Sequence, residues 1–125
     1  MIYTTYFAKL KDLPENVTPI AICGKVPIGY KGLVYKALAP KYDFFMQWKA
    51  TGDNNYYIKC YKERVLDTLN SSRVVADLYY LLEAAPCSCD IALVCYEKPT
   101  DFCHRHLVSA WLISHGFMCK EFDYN

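Results

Sequence analysis

Short apolar runs alternate along the chain with segments of helical periodicity. Four runs rich in β-branched and aromatic residues have the length of strands, and they predict strands at 2–7, 18–23, 90–96 and 117–122. No polar residue interrupts the apolar stretch 91–94, which is typical of a strand that is buried on both faces. We expect the first two strands to be central in a sheet.

Four other segments predict helices, at 42–49, 56–70, 73–84 and 101–115. Asp53 or Asn54 is a suitable N-cap for the second helix, and Thr100 or Asp101 for the fourth, which Gly116 is expected to end. On the fourth helix the spacing places Cys103, His104, Leu107, Val108 and Trp111 on one apolar face, with Arg105 and Ser109 pointing elsewhere.

The order of these elements predicts an α/β fold: a single compact domain over 1–125, with a mostly parallel sheet flanked by helices. Three glycines and a proline in 24–32 predict a loop after the second strand, and this loop is a candidate wall of a ligand site. The aromatic segment 42–49 is expected to fill the core, with stacking on a nucleobase as the alternative.

Amino-acid composition and net charge exclude few partners and locations for this protein. The chain has 125 residues and a net charge of +1, so no overall field selects nucleic acid or an anionic membrane as partner. No apolar run approaches the ~20 residues of a membrane span, and the first residues lack the pattern of a signal peptide. The seven cysteines are odd in number and several lie in apolar runs, so a cytoplasmic protein with reduced thiols is expected.

Side chains with chemical reactivity gather where the strand at 90–96 meets the predicted helix start. Cys95 and Glu97 lie at the strand end, and Cys103, His104 and Arg105 lie near the helix start. Ligands of open α/β sheets bind at the carboxyl ends of strands, and free N–H groups at a helix start attract anions. The sequence therefore predicts a site for a phosphate-containing or other anionic small molecule at this junction.

The same residues carry a resemblance to a known family. Cys95-x-Glu97 followed by Cys103-His104-Arg105 resembles the signature of the domain-of-unknown-function 488 family, in its short bacterial and phage members. The similarity extends over nearly the whole chain, including 2–7 and 38–48. The resemblance implies the α/β fold, a site at this junction and a connection with nucleotide or nucleic-acid metabolism, without an established reaction.

Each residue of the junction has an expected role. Arg105 and the helix N–H groups would hold the anion, and His104 would shuttle a proton. Glu97 would act as general base or accept a hydrogen bond from a ribose hydroxyl. Cys103, at the second or third helical position, would be a nucleophile with a lowered pKa. The catalytic candidates are thus Glu97, Cys103 and His104, and the ligand-binding candidates are Arg105, Lys98, Cys95 and Tyr6. In the structural alternative, Cys103 and His104 cap the core, and Arg105 pairs with a carboxylate such as Glu97 or Asp101.

Zinc is a second interpretation of the same side chains. The candidate ligands are Cys87, Cys89, Cys95, Cys103, His104 and His106. Their spacing lacks the paired Cys-x-x-Cys of structural zinc sites, so we expect neither a metal nor another cofactor.

Two function classes use this junction, and an interaction protein whose exposed tyrosines contact a partner is a third interpretation. The first is an enzyme of nucleotide or nucleic-acid metabolism that uses the junction as its active site. The second is a non-catalytic module that binds or sequesters a nucleotide or a nucleic-acid end. Both use the same anion site, and neither involves a membrane.

Overall fold

One parallel sheet organises the computed structural model, which describes residues 1–85 and 88–125. Within these ranges the strands are β1 (Ile2–Tyr6), β2 (Val17–Ala21), β3 (Leu33–Val34), β4 (Asp90–Cys95) and β5 (Cys119–Glu121). The α-helices are α1 (Tyr42–Thr51), α2 (Asn54–Arg64), α3 (Ser71–Leu82) and α4 (His104–Ser114). Short 3-10 turns occupy Phe7–Asp12, Lys36–Leu38 and Leu66–Thr68.

The strand order β3-β2-β4-β1-β5 places β4 in the middle of the sheet. All four strand pairings are parallel, so the carboxyl ends of the strands lie along the same edge. In the register Tyr6 is opposite Cys95 on one side of β4, and Ala21 is opposite Val94 on the other side. The predicted α/β fold with its mostly parallel sheet is confirmed.

The four predicted strands are confirmed, with ends that differ by a few residues. Ile91 and Val94 of β4 are fully buried, as the uninterrupted apolar run indicates. The two-residue strand β3 was not predicted, because Leu33–Val34 is too short for a period to be recognised. It forms because the backbone of Ile20 and Ala21 pairs with it.

The predicted helices are also present, but the second ends at Arg64 and not near residue 70, because Leu66–Thr68 form a separate 3-10 turn and Asn70 caps α3. Two of the helix caps are as expected or equivalent. The Asp53 side chain accepts a hydrogen bond from the backbone N–H of Tyr56 at 3.1 Å, and Asn70 caps α3 through Arg73 N–H at 3.0 Å. Gly116 follows α4 with a positive φ of 90°, a conformation that glycine adopts at little cost. None of the helices in the described ranges has the length and apolar character needed to cross a membrane.

The predicted start of α4 at residue 101 is wrong. The helix begins at His104 with Cys103 as N-cap, because residues 98–101 are used by a turn in which Asp101 N–H donates to the Lys98 carbonyl at 3.0 Å. Pro99 is suited to the second position of such a turn. Cys103 therefore precedes the helix instead of lying at its second or third position.

The buried face of α4 also differs from the predicted one. The buried residues are His104, Arg105, Val108 and Leu112, whereas Leu107 and Trp111 are half-buried. Arg105 was expected to point away from the apolar face, but it is buried because its charge is paired, as described below.

Adjacent residues of α4 allow a direct test of this face. Leu112 is fully buried and Ile113 is 54% exposed, so Leu112→Ala is expected to lower the free energy of unfolding by about 2–5 kcal/mol and Ile113→Ala far less. Urea denaturation of both variants measures the difference. Equal midpoints would mean that the buried face of α4 is misassigned.

Candidate functional site

A pocket of about 710 Å³ opens at the carboxyl ends of β2 and β4, beside the start of α4. Its volume is in the range of small-molecule sites. The lining residues come from the segments after β2 and β4, from α1 and α2, and from the start of α4. They are Cys23, Gly24, Lys25, Pro40, Tyr42, Phe45, Trp48, Lys49, Tyr57, Cys95, Tyr96, Glu97, Phe102, Cys103 and His104.

One buried part of the pocket lining, called here the floor, consists of Cys95, Cys103 and His104. All three are buried, and their sulfur and ring-nitrogen atoms lie within 4.8 Å of one another. Cys95 is the last residue of β4, and the other two residues form the N-cap and first position of α4. The end of the central strand β4 and the start of α4 thus hold the three side chains close together.

The imidazole of His104 is held from two sides. Its Nε2 lies 2.7 Å from the carbonyl oxygen of Ile22, and Cys95 Sγ lies 3.2 Å from Nδ1 and 3.4 Å from Nε2. Because a carbonyl only accepts, Nε2 carries the hydrogen in this contact. The ring of Tyr61, with a centroid 5.5 Å away, packs against the imidazole.

The two floor thiols have opposite pKa shifts. A hydrogen bond with Cys95 lowers the pKa of Cys103, and His104 and the backbone N–H of Arg105 lower it further, although burial opposes them. Burial raises the pKa of Cys95, and its hydrogen bond with Cys103 adds to that rise. Of the two sulfurs, Cys103 therefore carries the thiolate more readily.

Aromatic rings form the side walls of the pocket. Trp48 on α1 and Tyr57 on α2 each contact Phe102, with ring centroids 5.5 and 5.0 Å apart. Tyr57 also packs edge-on against Phe44 of the core, at 5.3 Å. Burial raises the pKa of the Tyr57 phenol, so this ring remains neutral. The walls are therefore apolar and planar, and the core residue Phe44 packs against one of them.

Charged side chains lie around the mouth. Lys25 follows β2 and Lys49 lies on α1, and both are exposed, whereas Glu97 after β4 is half-buried. The Tyr96 hydroxyl donates to the Lys25 backbone carbonyl, so the loop after β2 is attached to the segment after β4. This loop was the predicted second wall, and its Gly24 and Lys25 line the pocket.

Arg105 turns away from the pocket. It is fully buried, and its guanidinium donates to both carboxylate oxygens of Glu121 at 2.9 and 3.1 Å and to the Glu97 carbonyl at 2.6 Å. Its guanidinium also lies 5.7 Å from the ring of Tyr6. The expected carboxylate partners, Glu97 or Asp101, are replaced by a residue of β5.

The structure thus brings four of the predicted site residues together, namely Glu97, Cys103, His104 and Cys95. Arg105 and Tyr6 lie outside the pocket lining, and Lys98 is exposed and does not line it. Of the other zinc candidates, Cys89 is exposed and His106 lies outside the cluster, while Cys87 lies outside the described residues.

The sequence indicated the walls and the two lysines only in part, because Trp48 lies in the aromatic segment 42–49 and Lys25 in the loop 24–32. Tyr57 and Phe102 have no distinguishing local pattern, because they reach the pocket only through the packing of α2 and the turn before α4. The aromatic segment 42–49 was a partial signal, which we assigned to the core. In the structure Tyr42, Phe45 and Trp48 line the pocket, while Phe44 is buried in the core.

Comparison with known proteins gives one family. The family model described as "Active DUF488-N3 subclade" matches residues 6–116, a range that includes the whole pocket lining and excludes Glu121. Neither the search of curated proteins nor the search of solved structures gives a match.

A structural role for Arg105 has a measurable consequence. Arg105→Ala leaves Glu121 without its partner and is expected to cost about 3–5 kcal/mol of unfolding free energy. Combining Arg105→Met with Glu121→Gln should recover part of this loss, because both charges are then removed. Arg73→Ala, which breaks an exposed pair with Asp77, is the control and should change stability little.

The same variants test whether Arg105 contacts a ligand, which stays a prediction. Thermal melts and nucleotide titrations are done on the folded protein. A normal melting temperature of Arg105→Ala together with lost nucleotide affinity would contradict the structural role.

Proposed function

Since the chain belongs to the DUF488 family, whose function is unknown, we propose from the pocket itself that this protein is an enzyme acting on a nucleotide-type substrate. The observation that carries the proposal is the combination of aromatic walls with a floor of two cysteines and a histidine in one pocket. The description of the matched subclade as active agrees with an enzyme.

The walls support a substrate with a planar ring. Flat aromatic faces bind nucleobases by stacking, and each stacked base contributes about 1–3 kcal/mol. Trp48 and Phe102 are half-buried and face the pocket, so part of each ring is available to a ligand. A volume of about 710 Å³ accommodates a base with its sugar.

The lysines support a substrate with an anionic group. Lys25 and Lys49 are exposed at the mouth, where a phosphate is still partly hydrated and costs little to bind. They take the role first expected of Arg105, because three of its five N–H donors are used by Glu121 and the Glu97 carbonyl and it does not line the pocket. We therefore orient the substrate with its base between the aromatic walls and its phosphate toward the lysines.

The floor and Glu97 support chemistry in addition to binding. Cys103 is buried yet lines the pocket, and its lowered pKa favours an electron-rich sulfur beside the imidazole of His104. Glu97 lines the same pocket and carries a carboxylate suited to accept a proton from a substrate hydroxyl or water. We assign Glu97 as general base and Cys103 and His104 as the other catalytic residues.

The alternative is a module that binds or sequesters a nucleotide or a nucleic-acid end without chemistry. The exposed Tyr42 and the lysines at the mouth agree with this alternative, because they would contribute to binding even if no reaction followed. The two functions differ in their need for Glu97, and the second experiment below separates them.

The binding part of the proposal is tested with two exposed tyrosines. Tyr42 lines the pocket and is 76% exposed, whereas Tyr80 on α3 is 72% exposed and does not line it. Tyr42→Ala is expected to weaken binding of nucleoside monophosphates by about 1–3 kcal/mol, as for loss of one stacking face. Tyr80→Ala should bind normally.

Calorimetric titration with nucleoside monophosphates, nucleosides and sugar phosphates gives the affinities. Sugar phosphates should bind more weakly than nucleotides, because they lack a ring for the aromatic walls. A preference for sugar phosphates over nucleotides would refute the assignment of the walls to a base.

The catalytic part is tested with Glu97→Gln. This change keeps the shape and removes the charge, so we expect nucleotide binding to persist and turnover to fall by about 10²–10⁴-fold. Nucleotides are incubated with wild type and variant, and products are resolved by liquid chromatography and mass spectrometry. Binding by the wild type without any product would favour the sequestering module.

A further inference from the structure

We propose that Cys95, Cys103 and His104 bind one Zn²⁺ ion at the floor of the pocket, with an open coordination position toward the substrate. Only the catalytic role of the open coordination position rests on the proposed function. Metal binding itself is independent of any nucleotide.

The donor set is the first argument. Thiolate sulfur and imidazole nitrogen are the ligands that Zn²⁺ prefers, and a cysteine–cysteine–histidine set with a fourth open position is a known catalytic arrangement. The three donor atoms already lie within 4.8 Å of one another. Ligands of a single tetrahedral zinc are roughly 3.3–3.8 Å apart, given metal–ligand bonds of about 2.0–2.3 Å, so only small side-chain movements are required.

The hydrogen bond of His104 is the second argument. The Ile22 carbonyl accepts from Nε2 at 2.7 Å, so Nδ1, the nitrogen 3.2 Å from Cys95 Sγ, is the ring atom available to a metal. Metal-binding histidines are commonly held in this way, with the other ring nitrogen donating to a backbone carbonyl. The hydrogen bond to Ile22 therefore holds the ring with Nδ1 beside the Cys95 sulfur.

The surroundings of the three side chains are the third argument. All three are buried and line the pocket, so bulk water has limited access from behind while one side faces the cavity. The side chains are attached to the end of the central strand and the start of a helix, which favours a preorganised site.

The open side gives this site a chemical consequence. A water or substrate oxygen bound there would be polarised by the metal, and Glu97 of the same pocket could accept its proton. Cys103 then acts as a ligand through its thiolate, and the expected reaction class is hydrolytic attack on the substrate.

The primary experiment measures metal binding by the full chain. Protein is purified under reducing conditions, freed of metal, titrated with Zn²⁺ and, in parallel, with Co²⁺, and its metal content is determined by mass spectrometry. We expect one Zn²⁺ per chain and, for Co²⁺, the sulfur-to-metal absorption of thiolate ligation. No zinc binding by protein with reduced thiols, or a Cys95–Cys103 disulfide in its place, would overturn the proposal.

Matched variants identify the ligands. We expect Zn²⁺ binding to weaken by more than about 100-fold in each of Cys95→Ser, Cys103→Ser and His104→Ala. Loss of a residue that only hydrogen-bonds to a metal ligand already weakens binding by up to about 100-fold, and these variants remove a ligand itself. Cys89→Ser and His115→Ala remove an exposed cysteine and an exposed histidine and should bind Zn²⁺ normally. Loss of binding in these controls, or its retention in the ligand variants, would refute the assignment.

A protection experiment on wild type covers the case in which a ligand variant does not fold. Zn²⁺ should slow alkylation of Cys95 and Cys103, read by peptide mass spectrometry, and leave the alkylation of Cys89 unchanged. Equal protection of all three cysteines would contradict the site. If Zn²⁺ binds but no nucleotide does, the proposed function fails and the metal site stands. If a nucleotide binds but Zn²⁺ does not, the metal site fails and nucleotide binding stands.

Discussion

Pairing of β4 along both of its edges is the constraint on which the rest of the structure depends. Because β1 and β2 occupy its two sides in parallel, the backbone groups of β4 are satisfied only when both neighbours are in register. That register brings the segments after β2 and β4 to one edge of the sheet. The turn at 98–101 then directs the chain back, so the N-cap of α4 lies beside the end of β4.

The buried pair of Arg105 and Glu121 attaches this junction to the far side of the sheet. Arg105 belongs to the first turn of α4, Glu121 ends β5, and the Glu97 carbonyl shares the guanidinium. One side chain thus connects the segment after β4, the helix start and an edge strand. Because an unpaired buried charge is costly, the pair favours only arrangements in which all three are together. Arg105 follows Cys103 and His104 directly and lies outside the pocket lining, so the pair holds the start of α4 from the side opposite the pocket.

Properties that arise from local pattern were predictable from the sequence. The apolar run 91–94, the cap at Asp53 and the stop at Gly116 each act within a few residues, and the structure contains all three. The junction itself was also predictable, because strand ends and helix starts meet by topology.

Properties that depend on distant segments were not predictable. Nothing near Arg105 in the sequence indicates that its partner is Glu121, which lies sixteen positions later on an edge strand. The proximity of Cys95, Cys103 and His104 arises from the turn and the register, so a search for regular ligand spacing does not detect it. The start of α4 was misplaced since Thr100 and Asp101 suit both a cap and a turn.

The position of β1 has a consequence for how the molecule is made. β1 lies between β4 and β5, so it is enclosed by two strands that come much later in the chain. Until β4 is synthesised, Ile2 and the rest of β1 have neither of their neighbours. Contacts between residues so far apart in the chain form slowly. β1 therefore stays without a paired strand during synthesis until β4 has been made.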